Sequence, residues 1–236
     1  MSLNVIGVIP ARLASTRLPR KLLLADTGQP LIQHVWDNAR RATAFSELVI
    51  ATDSEEIAAA VRQHGARAEL TGEHPSGTDR IAEVVRRCFP QADIIVNVQG
   101  DEPEIDPAHL TALVDQLRLF PDAKMSTLCT GIKTSEQRDS PNCVKVVMGE
   151  AGQALYFSRC PIPFGRDRQP DELLASEHPW KLHLGVYAYR REFLLEITQK
   201  PVSRLERLET TGAIAGYTLR LGDSAREHRI RATCLL

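Results

Sequence analysis

The chain is expected to fold as an α/β protein, with a mostly parallel, Rossmann-like sheet covered by helices on both faces and a smaller β-rich portion after it. Three observations predict this. Apolar runs without polar alternation, such as Val5-Ile6-Gly7-Val8-Ile9 and Ile94-Ile95-Val96, suit parallel strands buried on both faces. These runs alternate with helical patterns through the first half of the chain, and a β-α-β-α order gives a parallel sheet with right-handed crossovers. From about residue 125 the rhythm changes to strands that follow one another closely.

The elements read as follows. Val5 to Ile9 is a strand. Leu31 to Ala42 is a helix with Leu31, Val35, Trp36 and Ala39 on one face. Leu48 to Thr52 is a second strand, and Asp53-Ser54-Glu55-Glu56 starts a helix with acids at its positive end, continuing through Gln63. Ala68 to Leu70 is a short strand, Thr78 to Arg87 a helix, and Asp93 to Val98 a buried strand. Met125 to Leu128, Cys143 to Met148 and Leu155 to Ser158 are strands, with Glu150-Ala151-Gly152 a hairpin turn between the last two. Pro161 to Pro179, rich in Pro and charge without periodicity, reads as a long loop. Leu184 to Tyr189 is a strand, and Arg191 to Ile197 starts a helix. There is no internal repeat and no low-complexity tract.

The 236 residues suffice for one large α/β domain, or for a domain with a small subdomain. A net charge of −1 gives no global attraction to nucleic acid or to an anionic membrane, so any phosphate site must come from local clustering. The five cysteines are scattered without a C-x-x-C pair, which favours reduced thiols over a disulfide framework, and the seven histidines are too dispersed for a zinc site. No apolar stretch approaches the roughly 20 residues needed to span a bilayer. Met1-Ser2-Leu3 runs straight into the first strand, leaving no room for a signal peptide. A cytoplasmic protein with no membrane and no nucleic-acid partner is expected.

Three motifs carry chemistry. The first strand ends at Pro10 and spills into a loop holding Arg12, Arg17, Arg20 and Lys21. Ligands of open α/β sheets bind beyond the carboxyl ends of strands, and cations with free backbone N–H groups there suit a polyphosphate. A solvated basic loop is the alternative. Asn97-Val98-Gln99-Gly100-Asp101-Glu102-Pro103 follows a buried strand. Its Asp101 is placed to hold Mg²⁺, which takes oxygen ligands and usually only one or two protein carboxylates plus substrate phosphates; an N-cap with a turn would also explain it. In His74-Pro75-Ser76-Gly77-Thr78-Asp79-Arg80, Ser76 and Thr78 can cap a helix while Gly77 lets backbone amides face a ligand. Capping alone would account for that stretch.

Taken together, these motifs resemble the 3-deoxy-D-manno-octulosonate cytidylyltransferases (CMP-Kdo synthetases) of Gram-negative bacteria. The matching pieces are IPARLASTRLPRK (9–21), VIATDSEEI (49–57), HPSGTDRIAEV (74–84), IIVNVQGDEP (94–103), NCVKVV (142–147), ALYFSRCPIPF (154–164) and HLGVYAYR (183–190). The resemblance implies a three-layer fold of the nucleotide-diphospho-sugar transferase type. Residues 1–124 would bind nucleotide, 125–200 would form a small β-rich sugar-binding and dimerisation part, and 210–236 is an atypical tail of the single domain. It implies transfer of CMP from CTP to the anomeric hydroxyl of 3-deoxy-D-manno-octulosonate (Kdo) for lipopolysaccharide synthesis, with Mg²⁺ and a homodimeric assembly.

Carried over position by position, Arg12, Ser15, Thr16, Arg17 and Lys21 would hold the CTP triphosphate, with Lys21, Arg17 and Asp101 serving catalysis. Ser76, Gly77 and Thr78 would lie beside cytosine and ribose, and Gln99 between nucleotide and sugar. Asp101 would bind Mg²⁺. Arg159, Arg166, His183, Tyr187 and, as a weaker match, Glu209 would recognise the sugar acid's carboxylate and hydroxyls. Arg20 stands where the loop usually carries glycine. The alternatives are a sialic acid cytidylyltransferase, which the L-Y-F-S-R and H-L-G-V-Y motifs disfavour, and a nucleotide-binding homologue with impaired catalysis.

The last alternative arises from the tail. Family members carry L-E-Q-L-R, a strand, and G-[VI]-D-T-P-E-D-L, whose Asp supplies a second metal carboxylate. Here Leu208-Glu209 is followed by Thr210-Thr211-Gly212, and the chain ends in Arg226-Glu227-His228-Arg229-Ile230-Arg231-Ala232-Thr233-Cys234-Leu235-Leu236, like a truncated or frame-shifted version of the family's end. The expectation is that CTP binding survives with turnover low or absent, that Asp223 could substitute as the second ligand although its neighbours do not resemble the motif, and that residues beyond it are poorly ordered or packed differently from the family.

Overall fold

The computed structural model describes residues 3–13, 18–176, 178–202, 204–209 and 229–235. In chain order its elements are β1 (Val5–Ala11), a 3-10 turn (Lys21–Leu23), α1 (Leu31–Ala39), β2 (Glu47–Thr52), α2 (Glu55–Arg62), β3 (Ala68–Leu70), α3 (Gly77–Cys88), β4 (Ile94–Asn97), α4 (Pro107–Leu119), β5 (Ala123–Gly131), α5 (Ser135–Asp139), β6 (Lys145–Met148), β7 (Ala154–Ser158), α6 (Pro170–Ser176), β8 (Lys181–Arg190), α7 (Arg191–Ile197), α8 (Arg204–Glu209) and β9 (Arg229–Leu235). They fall into two units, one of Met1–Arg118 with Val186–Gln199, the other of Leu119–Gly185 with Lys200–Leu236.

In unit 1, β1 lies between β2 and β4, parallel to both, and β3 extends the sheet parallel to β2. Successive residues Ile94, Ile95 and Val96 are 0% exposed. Since neighbouring strand residues point to opposite faces, both faces are covered, and this is why the strands read as unbroken apolar runs. The second half of β8 runs antiparallel beside β4, pairing Ile94 with Arg190 and Asn97 with Tyr187. The helices start where their caps are. Ser54 Oγ accepts from Ile57 N (3.3 Å) ahead of the acidic first turn of α2, and Ser76 Oγ accepts from Asp79 N (3.1 Å) at α3. The sequence reading passed over α4, although its buried Leu110, Leu113, Val114 and Leu117 keep a helical spacing.

In unit 2, β6 and β7 form the expected hairpin, closed by Gly149 N donating to Gln153 O (2.8 Å), with Gly152 at φ +77°. The first half of β8 runs antiparallel to β6. Two expectations are corrected. The 161–179 stretch is not all loop: α6 buries Leu173 and Leu174 against Ile132 and Trp180, with Leu182 at the edge, and Trp180 Nε1 donates to Pro163 O (2.8 Å). Nor is the end of the chain without order over its described part. Residues 229–235 form β9, which pairs in parallel with β5 from Ala123↔Arg229 to Thr130↔Leu235. Asp223 and the rest of 210–228 lie outside the described residues. Cys88, Cys129, Cys143 and Cys160 are free thiols, and no helix among the described residues is long and apolar enough to cross a membrane.

Candidate active site

The carboxyl ends of β1 and β4 open into a cleft of about 340 Å³ in unit 1. Pro10, Ala11 and Arg12 reach it from β1, Lys21 and Leu22 from the 3-10 turn, His74 to Gly77 and Arg80 from the start of α3, and Gln99, Gly100 and Asp101 from the loop after β4. The three motif segments therefore share one wall. Two glycines allow this approach: a Cβ on Gly77 would lie 3.2 Å from Pro10 Cγ, and one on Gly100 would lie 3.1 Å from Pro10 O. Pro10 is thus clasped between the α3 terminus and the Asp101 loop.

Of the residues expected at the nucleotide, Arg12, Lys21, Ser76, Gly77, Gln99 and Asp101 line the cleft. Thr78 does not; it is buried at the first turn of α3. Ser15, Thr16 and Arg17 lie outside the described residues. Lys21 Nζ donates to Asp101 Oδ2 at 2.9 Å, joining the basic turn to the acidic loop. Asp101 keeps about half of its side chain exposed and already faces one cation, the Lys21 ammonium. Its hard oxygen donors fit Mg²⁺. Among the described residues no group of three or more His, Cys, Asp or Glu gathers, so a metal at Asp101 would take most of its ligands from phosphates and water.

Sequence reasoning missed the scaffold behind this wall. Arg80, only 3% exposed, bonds Asp53 Oδ2, Thr71 Oγ1 and Gly72 O, tying the end of β2 to α3. One turn along, Glu83 accepts from His74 Nε2 and from Gly72 N. Arg80, Glu83 and Arg87 recur at helical spacing, the signal that could have found them.

The residues expected at the sugar divide between the units. Tyr187, buried in β8, pairs in register with Asn97 in unit 1, and its ring lies 6.2 Å from that of Tyr189. In unit 2, Arg159 and Glu209 are brought together. Arg159 N donates to Glu209 Oε2 (3.0 Å), Arg159 Nε to Glu209 O (2.7 Å), and Ser158 Oγ to Glu209 Oε1 (2.8 Å). Burial, and then the nearby Glu209 charge, raise the Tyr156 hydroxyl above its usual range. His183 stacks edge-on against Phe157 at 4.8 Å, with Nε2 3.0 Å from Thr127 Oγ1, and burial pushes its pKa down to about 4. It is therefore neutral at physiological pH, suited to hydroxyls rather than to pairing with a carboxylate. Arg166 stands apart, highly exposed with Asp167 at 3.8 Å. Lys145, fully buried, donates to Ser140 O (3.0 Å) and Cys143 O (2.6 Å), and its desolvation lowers its pKa.

Comparison with known proteins now places the chain. The family model described as cytidylyltransferase matches residues 6–221. The 3-deoxy-manno-octulosonate cytidylyltransferase of Solibacter usitatus is 45% identical over 232 residues, covering 96% of this chain and 89% of that protein. The chain belongs to the 3-deoxy-manno-octulosonate cytidylyltransferase family. The member from Geobacter sulfurreducens is likewise 45% identical, over 234 residues that cover 95% of this chain and 93% of that protein. A solved structure of CMP:2-keto-3-deoxy-manno-octonic acid synthetase complexed with CTP matches with a TM-score of 0.86 at 38% identity, covering 98% of this chain and 90% of that one. With 96% of the chain aligned to the Solibacter protein, the likeness to this cytidylyltransferase family runs into the 210–236 stretch that the sequence reading set apart. Arg20 has a left-handed φ of +59°, the conformation in which glycine is least strained, and its side chain is anchored by an ion pair with Glu56.

Proposed function

We propose that the protein transfers CMP from CTP to the anomeric hydroxyl of 3-deoxy-D-manno-octulosonate, releasing pyrophosphate and CMP-Kdo. The observation that carries this reading is the cleft in which Arg12, Lys21, Ser76, Gly77, Gln99 and Asp101 share one wall, in a chain of this family. Arg12 and Lys21 supply positive charge for a triphosphate, and Ser15, Thr16 and Arg17, which lie between them in sequence, would add to it. The free amides at the start of α3 add a positive dipole end beside Ser76 and Gly77. Catalysis here consists of positioning and charge stabilisation: Lys21 and Arg17 offset charge as pyrophosphate departs, and Gln99 orients the acceptor.

Asp101 would hold Mg²⁺. When bound, that ion neutralises charge on the phosphates. The Lys21–Asp101 pair supports this reading, because a half-exposed ion pair is worth at most about 1 kcal/mol and yields readily to a divalent cation. In unit 2, Arg159 and Arg166 would meet the sugar's carboxylate, while neutral His183 and Glu209 would meet its hydroxyls. In this reading the enzyme is a cytoplasmic homodimer serving lipopolysaccharide synthesis.

Kinetics of two variants test the division of roles. Arg17→Ala is expected to raise the KM for CTP, and Arg166→Ala the KM for the sugar acid. Each change should be about ten- to a hundredfold, the worth of one charge-assisted hydrogen bond. If both variants raised the KM of the same substrate only, the assignment would be wrong.

A further inference from the structure

His74 lines the cleft two residues before the α3 cap, and nothing in the reading above uses its side chain. Its Nε2 lies 2.6 Å from Glu83 Oε2. Glu83 is itself fixed: the same oxygen accepts from Gly72 N at 3.1 Å, and Oε1 lies 3.3 Å from Arg87 Nη1. Burial works to raise the Glu83 pKa, but the bonds from His74 and Gly72 outweigh it and hold the carboxyl below its usual range. Glu83 is therefore an acceptor, and the His74 nitrogen facing it carries the proton. A neutral imidazole with its proton on Nε2 has a lone pair on Nδ1. Nδ1 makes no hydrogen bond among the described residues.

Pro10 separates two ends of the cleft. Gly100, leading into the Lys21–Asp101 pair, packs on the Pro10 carbonyl, while Gly77, beside Ser76 and His74, packs on the Pro10 ring. On the reading that the phosphates sit at the Lys21 end, the base would lie toward His74, which lines the other end. CTP and UTP differ at position 4 of the ring, an amino group that donates against a carbonyl that only accepts. On the reading that the cleft holds CTP, we propose that His74 is a specificity-determining residue whose Nδ1 accepts a hydrogen bond from the cytosine 4-amino group and repels the uracil 4-carbonyl. Glu83 acts through it as a positioning residue that fixes the tautomer. A site built to bond one such group rejects the analogue that leaves its own polar atom unpaired.

The test is the dissociation constant of CTP and of UTP, measured by calorimetry for wild type, Glu83→Gln and His74→Leu. A glutamine can offer its amide to Nε2 and release the tautomer. Wild type is expected to prefer CTP, and both variants to lose that preference by about tenfold or more, the value of one hydrogen bond. In Glu83→Gln the loss should come partly from tighter UTP binding, which a mere loosening of the 71–74 segment would not produce. Equal weakening of both nucleotides, with the ratio kept, overturns the role of His74 while leaving the nucleotide reading intact. Failure of wild type to bind either nucleotide overturns both. Should Glu83→Gln not fold, the ratio in His74→Leu decides alone.

Discussion

Asp101 is half exposed and is ion-paired with Lys21. Asp101→Asn keeps the shape and removes the charge. It is expected to leave the melting temperature unchanged while pyrophosphate release falls by at least about a hundredfold, as for loss of a key charge-stabilising group. Near-normal release at limiting Mg²⁺ would show that Asp101 is not the metal ligand. His183 gives a pH-dependent counterpart. Its folded pKa of about 4 lies below the ordinary histidine value of 6.5, so between those values the unfolded chain binds more protons than the folded one. The stability from burying the neutral ring is complete above about pH 6.5 and is lost as pH falls toward 4, by about 3 kcal/mol at most. Urea melts of wild type and His183→Gln across that window should show a shallower fall in the variant. Parallel curves would mean that the ring does not titrate with unfolding.

At the scale of elements, α3 and β4 were legible because capping and apolar runs are local signals, and the cleft residues at their ends followed. Asp53 and the His74 ring were not assigned, because their partners Arg80 and Glu83 lie 27 and 9 positions away in sequence, and such pairs leave no periodic trace on the Asp53 or His74 side. The α6 helix was hidden by its Pro-rich surroundings; its stability comes from Leu173 and Leu174 packing on Trp180, a tertiary fact. The β9 strand was overlooked for a different reason. Arg229, Arg231 and Thr233 alternate with Ile230, Ala232 and Cys234, a two-residue period that a search for a helical stripe passes over. Removing residues 229–236 strips the parallel partner from β5. That truncation should lower the melting temperature by roughly 4–8 °C, the equivalent of about 2 kcal/mol in a chain of this size. CTP affinity should hold, since the cleft belongs to unit 1. A truncation that weakened CTP binding with an unchanged melting temperature would place the tail's role at the nucleotide instead.

At the scale of the whole molecule, the residues proposed for the nucleotide gather in unit 1 and most of those proposed for the sugar in unit 2. The described end of the chain, residues 229–235, is a strand paired in parallel with β5. The decisive measurement is pyrophosphate release by the purified protein with CTP and Mg²⁺, given 3-deoxy-D-manno-octulosonate, N-acetylneuraminate or no acceptor. Release is expected with the octulosonate alone, with CMP-Kdo accumulating in equal amount. Release with N-acetylneuraminate alone, or tight CTP binding with no release from any acceptor, would contradict the account.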